Sequence, residues 1–332
     1  MQNARYHGRF APSPTGHLHV GSARTALVAW CAARRSNGLF TIRVEDLDEP
    51  RTVPGMQDAQ LNDLEWLRID WDAGPKIGGP HGPYIQSLRH EHYQAALDQL
   101  YRQETLFPCK LSRKDLRELA SAPHERQSPY PRSLRPAHVQ PGWYAEPHND
   151  AAIRLKVPHG RIAFYDQVCG AHEENVAVEV GDYVLKRKDG VFAYQLAVVV
   201  DDLHMGITEV VRGQDLLEST ARQLHLIDTL GGELPSYAHV PLVLNAQGDK
   251  LSKRDASLSL ASLRERGISA KCLVGYLAWT IGLLPEARPV SPGELVDHFD
   301  WSLIQGRQHW IVPEDLIEML SSSVTLRRCS AT

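Results

Sequence analysis

Residues 12–22 read PSPTGHLHVGS, and this stretch decides how the first part of the chain is read. Pro12, Pro14 and Gly16 force a turn. His17 and His19 follow, and Gly21 stands where ARTALVAWCAARR begins. In that run Ala26, Leu27, Trp30 and Cys31 recur at helical spacing, which predicts a helix over Ser22–Arg35 that stops at SNG with Gly38. Upstream, Tyr6–Phe10 is a short strand. Downstream, LFTIRVEDLDEPR (39–51) reads as a strand ending in carboxylates. Strand, helix and strand at this separation predict a right-handed parallel crossover. That unit is half of a nucleotide-binding α/β fold, whose ligands lie at the carboxyl ends of the strands. The turn after the first strand and Glu45 after the second fall at that edge. A P-loop would need Gly-Lys-Ser/Thr after its glycines, and here imidazoles take that place. A helix start attracts phosphate through its free N–H groups and dipole. By itself, though, a histidine pair on a turn is an ordinary surface loop.

Beyond the crossover, Gln57–Leu67 and His90–Glu104 read as helices with the loop GGPHGPY (78–84) between them. Six prolines between Ser121 and Asp150 (Pro123, Pro129, Pro131, Pro136, Pro141, Pro147) rule out a long helix there and suggest an irregular insertion. Ala152–Val157, Arg161–Tyr165, Val176–Val180 and Tyr183–Arg187 alternate like strands. Tyr194–Val200 is a buried apolar run whose period does not separate helix from strand. ITEVVRG is a strand ending in Arg212-Gly213, Gln214–Leu230 a helix, and HVPLVLN (239–245) a further strand that leads into GDKLSKRDAS. The remainder reads as mostly helical, and neither a repeat nor a coiled coil is evident.

The chain has 332 residues, enough for two domains and a large core. No apolar run reaches the roughly 18–20 residues that span a bilayer, and MQNARYHGRF has no signal-peptide core. A cytoplasmic protein without a membrane partner is expected. Cys31, Cys109, Cys169, Cys272 and Cys329 are scattered, as free thiols in a reducing compartment are. The net charge of −4 argues against nonspecific coating of DNA. Basic clusters at 110–117, 185–190 and 250–255 leave room for a specific nucleic-acid partner.

KLSKR (250–254) is the second informative pentapeptide: two lysines flank a serine on a Gly248-led loop after a strand. Mobile ammonium groups suit a departing pyrophosphate, although Lys/Ser loops are common on surfaces. Together with PSPTGHLHVGS, some 230 residues earlier, it resembles the class I aminoacyl-tRNA synthetases. His19-Val20-Gly21-Ser22 stands where that family has His-Ile-Gly-His, with Ser22 replacing the second histidine. Lys250–Arg254 stands where it has Lys-Met-Ser-Lys-Ser. RFAPSPTG, RVEDLDEPR, GGPHGPYIQS, AVVVDDLHMGITEVVRG and PLVLNAQGDKLSKR, in that order, are similar to the glutamyl branch over residues 5 to about 255. Only residues 255–332 follow the lysine loop, fewer than the roughly 100–200 of a domain of its own. DGVFAYQLAVVVDD and RGQDLLEST look more like the truncated paralogues of that branch, the glutamyl-queuosine tRNA(Asp) synthetases.

The resemblance implies an α/β fold with a Rossmann-type parallel sheet, an inserted acceptor-type subdomain and a C-terminal helical stem-contact segment. It divides the chain into a first catalytic half (1–105), an insertion (106–185), a second catalytic half with the lysine loop (186–254) and the stem-contact segment (255–332), with no anticodon-binding domain. It implies an ATP-dependent ligase that activates L-glutamate and transfers it to queuosine at the wobble position of tRNA(Asp). ATP is a substrate, with Mg2+, and the enzyme a monomer. Carried over by position, Arg9, Phe10, Ala11, Pro12, Ser13, Glu45, Tyr194 and Arg212 form the glutamate pocket. His19, Gly21 and Lys253 meet ATP, and His19, Lys250 and Lys253 are the catalytic set. The chemistry agrees: glutamate brings two carboxylates and one ammonium, so a site needs cations and one anion. Arg9 and Arg212 are each expected to make a forked carboxylate contact and Glu45 to meet the ammonium; which arginine takes which carboxylate stays open.

One departure concerns metal. Many paralogues hold zinc with Cys-x-Cys and Tyr-x-x-x-Cys. Here CKL keeps Cys109 but has Leu111, and YPRSL keeps Tyr130 but has Leu134. One thiolate and one phenol do not make a tetrahedral site, so zinc is not expected, and apolar packing replaces it; His124 is the alternative ligand. The rivals are a truncated or discriminating glutamyl-tRNA(Glu) synthetase, a catalytically silent RNA-binding paralogue, and a small-molecule nucleotidyltransferase. Intact Arg9, His19, Glu45, Arg212 and Lys253 oppose the silent paralogue.

Overall fold

The computed structural model describes residues 5–111, 115, 130–139, 143–145, 150–251 and 253–321. His124, Cys329 and four of the six insertion prolines lie outside the described residues, as do Ser252 and the final stretch 322–332.

The strands are β1 (His7–Phe10), β2 (Leu39–Ile42), β3 (Leu106–Cys109), β4 (Ala152–Leu155), β5 (Ile162–Asp166), β6 (Gly170–Glu174), β7 (Tyr183–Lys186), β8 (Glu209–Gly213), β9 (Ser236–Val240), β10 (Val243–Leu244) and β11 (Trp310–Ile311). The main sheet runs β2-β1-β8-β9-β5-β6. Its first five strands are parallel neighbours, and β6 closes the edge antiparallel. The crossover expected from residues 6–51 is present: β1 and β2 pair in parallel, with α1 (Val20–Arg35) between them in sequence. β1 has β2 on one side and β8 on the other, so the chain order reverses at β1. Parallel α/β sheets bind ligands at the strand carboxyl ends beside such a switch point.

α1 is buried along most of its length, including Arg24. That guanidinium donates to the Pro241 carbonyl and, at 3.3 Å, to Thr280 Oγ1. It thereby ties the first helix to the end of β9 and to the C-terminal part of the chain. α2 (Met56–Trp66), α3 (His90–Arg102), α4 (Val176–Glu179), α5 (Tyr194–His204) and α6 (Thr220–Thr229) follow, then α7 (Leu260–Glu265) and α8 (Ala270–Thr280). Leu260, Leu263, Leu273, Val274 and Leu277 share one buried cluster with α1 residues such as Leu27 and Val28. A second cluster joins α3, α5 and α6 to the three-stranded antiparallel sheet β3-β4-β7. Among the described residues no helix is long and apolar enough to cross a membrane.

Several expectations need correction. The strand expected over 39–51 ends at Ile42. Past that point the chain still follows the first strand, with Arg43 donating to the Phe10 carbonyl at 3.1 Å and Glu45 to the Pro12 carbonyl at 3.0 Å, while Val44 on the opposite edge pairs with the 84–86 loop, donating to the Tyr84 carbonyl at 2.9 Å and accepting from the Gln86 amide at 3.0 Å. Val176–Val180 is not a strand: Val176–Glu179 is a helical turn, with Val176 and Val180 on the second core and Val178 exposed. So short an alternation fits either period. HVPLVLN is two strands, because Pro241 has no N–H for the ladder; β9 pairs with β8, and β10 pairs with β11. Gln214–Ser219 winds as a 3-10 turn before α6. β6 was not anticipated. The ambiguous run at 194 is a helix, α5.

Candidate active site

The turn of residues 12–16 is fixed from below by the segments it faces. Gln60 Nε2 donates to the Ser13 and Gly16 carbonyls at 3.0 and 2.6 Å, and the Glu45 amide donates to the Pro12 carbonyl at 3.0 Å. The chain enters α1 through His19, whose extended backbone makes it the N-cap. Val20, Gly21 and Ser22 therefore form the first turn, where amides have no intrahelical acceptor. A Cβ on Gly21 would lie 3.4 Å from His19 Nδ1 and 3.5 Å from Val243. Gly21 thus sits between the His19 imidazole and Val243 on the strand that leads to the lysine loop, with room for ordinary contact only. Ser13, Thr15, Glu45, Asp48, Arg51 and Thr52 line a small cleft beside the turn.

Beneath that cleft lies a buried charge network. Arg9, on β1, donates from Nε to Asp202 Oδ1 at 3.2 Å and from Nη1 to the Val211 carbonyl at 3.1 Å. Arg43 donates to the same Asp202 oxygen at 2.7 Å and to Glu45 Oε1 at 3.1 Å. Arg89, Gln86 and Tyr93 converge on Asp201 at 2.6, 2.8 and 3.0 Å. The three arginines and two aspartates are all buried. Burial would lower the Arg43 pKa, but Asp202, Asp201 and Glu45 outweigh it and hold the guanidinium charged. Burial works against an ionised Asp202 as well, and Arg43 and Arg9 override it to hold that carboxyl below its ordinary value. Glu45 is different: burial raises its pKa, and Arg43 and Arg9 only partly offset this. A carboxylate so placed gains from a cationic ligand.

Arg212, on β8, is held by neutral acceptors. Nε donates to His239 Nε2 at 2.9 Å, Nη1 to Gln223 Oε1 at 2.7 Å, and Nη2 to the Leu216 carbonyl and Thr220 Oγ1 at 3.1 and 3.0 Å. A guanidinium has five N–H donors, so one Nη1 hydrogen is left. On Arg9 the Nη2 edge makes no hydrogen bond among the described residues. Among the described residues Arg9 thus retains a free fork for the expected carboxylate contact and Arg212 a single donor, because the protein has taken the rest. Tyr194, 37% exposed, stands where these groups meet. Burial and Glu45 push its hydroxyl pKa up, while Arg212 and Arg9 pull it down. Glu45, Arg212 and Arg9 thus all act on the Tyr194 hydroxyl.

The lysine loop begins after β10 as a tight turn: Gly248 sits at φ +82°, and Asn245 and Asp249 close the backbone at 2.8 Å. Lys250 forms an ion pair with Asp215, just beyond Arg212 and Gly213. The Lys253 side chain lies outside the described structure. A few residues past the lysine loop the chain returns to the first signature stretch: His19 bridges Ser259, and Leu260 donates to the Leu18 carbonyl at 2.8 Å.

The network residues Arg43, Arg89, Asp201 and Asp202, and His239 with its partner Asp166, were not singled out from sequence. The one available signal was the pair of aspartates closing the apolar run AVVV. Asp63 was missed as well. It is a fully buried carboxyl 3.7 Å from Arg264, pushed up to about 6 by burial.

In the insertion the four positions discussed for zinc come together as an apolar patch. Phe107, Cys109 and Tyr130 are buried, and Leu111 and Leu134 pack on them. Tyr130 spends its hydroxyl on the Leu134 carbonyl at 2.9 Å, and Arg154 lies 4.3 Å over its ring. Two leucines supply no donor, so this donor set does not fit zinc. Purified protein is expected to hold far less than one zinc per chain by elemental analysis. Stoichiometric zinc lost on Cys109→Ala would overturn this reading.

The family model for class I tRNA synthetases (E and Q), catalytic domain, matches residues 6–288. The chain belongs to this family. Two class I synthetases similar to it carry the name glutamyl-Q tRNA(Asp) synthetase. The one from Nitratidesulfovibrio vulgaris is 43% identical over 96% of this chain and 99% of its own length. The one from Symbiobacterium thermophilum is 44% identical over 95% and 98%. A solved class I synthetase, a glutamate tRNA ligase from Elizabethkingia meningosepticum in complex with its amino acid, superposes with a TM-score of 0.82 at 29% identity. That match covers 95% of this chain and 68% of the ligase.

Proposed function

We propose that this synthetase activates L-glutamate with ATP to glutamyl-adenylate and transfers the glutamyl group to queuosine at the wobble position of tRNA(Asp). The observation that carries the amino-acid part is the convergence of Arg9, Glu45, Tyr194 and Arg212 at the strand ends. Arginines with donors left over suit carboxylates, and a carboxylate whose ionisation burial opposes suits an ammonium. The RNA part rests on the relatives' names at 43–44% identity over nearly their whole length.

In this reading Arg9, Phe10, Ala11, Pro12, Ser13, Glu45, Tyr194 and Arg212 bind glutamate. His19, Gly21 and Lys253 bind ATP, with Lys250 on the same loop. No side chain becomes acylated. A glutamate carboxylate oxygen attacks the α-phosphorus in line, the bond to the β-phosphate bridging oxygen breaks, and pyrophosphate leaves. A queuosine diol oxygen then attacks the acyl carbon, loses its proton, and AMP leaves. The protein contributes position and charge stabilisation. Mg2+ accompanies the ATP phosphates. Such an ion is held by substrate phosphates and water with one or two carboxylates at most. In the basic cluster at 185–190, Lys188 is exposed and Lys186 lies 4.7 Å over Phe192; Arg264, which is a further candidate for an RNA phosphate, faces Asp63. These leave moderate, salt-sensitive binding.

Two measurements test this. Glutamate-dependent ATP–pyrophosphate exchange is expected without any tRNA. Labelled glutamate is expected on queuosine-containing tRNA(Asp), on its anticodon arm alone, and on tRNA lacking the 3′-terminal adenosine. Charging of tRNA(Glu) at its 3′ end, or of tRNA(Asp) with guanosine in place of queuosine, would instead establish a glutamyl-tRNA synthetase.

A further inference from the structure

Arg212 does not hold its own orientation; three neighbouring strands do. β8 and β9 pair so that Arg212 stands opposite His239, and β9 pairs with β5, whose last residue is Asp166. Asp166 Oδ2 lies 2.6 Å from His239 Nδ1, and His239 Nε2 lies 2.9 Å from Arg212 Nε. Both Asp166 and His239 are fully buried. Asp166 Oδ1 is already occupied by the amides of Val168, Cys169 and His239 at 3.0, 2.8 and 3.1 Å, which fixes the carboxylate.

The proton on His239 follows from its two partners. Arg212 Nε only donates, so Nε2 must present a lone pair. Asp166 accepts, so Nδ1 carries the hydrogen. Thr220 Oγ1, 3.3 Å from Nε2 and an acceptor for Arg212 Nη2, has its own hydrogen to give to the same lone pair. The Tyr237 ring lies parallel to the imidazole and 5.3 Å from the guanidinium, limiting tilt of both. If the tautomer reversed, two N–H groups would face each other across 2.9 Å in a dry site, and the guanidinium would turn away.

We propose that Asp166 and His239 are positioning residues for Arg212: the carboxylate fixes the imidazole tautomer, and the imidazole aims the remaining Nη1 donor at the amino-acid substrate. This rests on the glutamate reading of the cleft for the identity of the substrate, but the tautomer does not. Neither residue touches substrate. Their action runs through the arginine.

The test uses the full chain. In Asp166→Asn the amide oxygen keeps the three backbone contacts while its NH2 faces Nδ1, which forces the proton to Nε2. The KM for glutamate in ATP–pyrophosphate exchange is expected to rise about tenfold or more, the size of one lost charge-assisted hydrogen bond, with KM for ATP unchanged and kcat changed much less. His239→Gln restores an acceptor near the Nε2 position that needs no tautomer. It is expected to keep KM within a few-fold of the wild type, and adding Asp166→Asn to it is expected to change KM little further. A merely structural role predicts equal losses in both backgrounds, and that result would overturn the proposal. Histidine 15N spectra, with the His239 signal assigned by its loss in His239→Gln, read the tautomer directly. An unprotonated Nε2 is expected in the wild type and a protonated one in Asp166→Asn; a protonated Nε2 in the wild type would overturn the proposal. Absence of glutamate-dependent exchange in the wild type would instead remove the glutamate reading, and the spectra would still decide the tautomer.

Discussion

Asp202→Ala is expected to cost about 3–5 kcal/mol of folding stability, the range for removing one partner of a buried ion pair. One oxygen of Asp202 accepts from both Arg9 and Arg43, at 3.2 and 2.7 Å. Its loss leaves two buried guanidiniums facing a void, Arg9 with only the Val211 carbonyl and Arg43 with Glu45 and, at 3.5 Å, Asp201. Urea unfolding is expected to show the loss as a lower midpoint at unchanged slope. Asp202→Asn retains an acceptor and is expected to lose less. The pH dependence has a definite sign. The folded pKa of Asp202 is depressed, so its contribution is fully present above the unfolded value of about 3.9. It disappears as pH falls through the folded value. Acid unfolding of the wild type should therefore steepen below about pH 4, and Asp202→Asn should flatten that part of the curve. A loss under about 1 kcal/mol in the alanine variant would mean that water reaches the network and screens it.

Lys253→Ala is expected to slow glutamate-dependent ATP–pyrophosphate exchange roughly 10²–10³-fold, as removal of one preorganised charge at a transition state does. The case for it is positional. β10 ends at Leu244, the Gly248 turn reverses the chain, and Leu244 bridges Lys250. A few residues later Ser259 bridges His19, so the lysine loop runs between the sheet edge and the start of α1. Lys250 is already engaged with Asp215, which leaves Lys253 as the loop ammonium assigned to the leaving pyrophosphate. The melting temperature should stay within about 2 °C, since the loop that leads to it is exposed over residues 246–250 and substitutions on exposed loops change stability by about 0.5 kcal/mol or less. An unchanged exchange rate would return KLSKR to an ordinary surface loop.

The local pieces of this fold were legible because their signals are local. Two prolines and a glycine make the turn of residues 12–16, and the apolar period marks α1. The 194–204 run was ambiguous because a short fully buried segment hides its period, and Asp201 and Asp202 become informative only once that run is a helix. The strand expected over 39–51 was too long because strand-like composition continues past Ile42, whereas the regular ladder gives way to isolated contacts, of Arg43 and Glu45 with Phe10 and Pro12 and of Val44 with the 84–86 loop. The break in HVPLVLN was written in Pro241, and the proline alone could have divided the strand.

By itself the sequence determined which chemical groups reach the strand ends: Arg9 on the first strand, Glu45 beyond the second, Arg212 on the strand after the buried helix, and the two signature stretches themselves. It did not determine how those groups are paired. Arg9 and Arg43 share Asp202 from 193 and 159 residues away. His239 meets Asp166 across 73 residues and Arg212 across 27. The histidine pairs exist because the sheet order β8-β9-β5 sets those strands side by side, and the Asp202 pairs because the fold brings α5 against β1 and the segment after β2; side-chain periodicity carries no information about which elements become neighbours. The number of donors each arginine has left for a ligand, a fork on Arg9 and one hydrogen on Arg212, was likewise decided by tertiary structure, because in a dry interior every buried polar group is first claimed by whatever the fold places beside it.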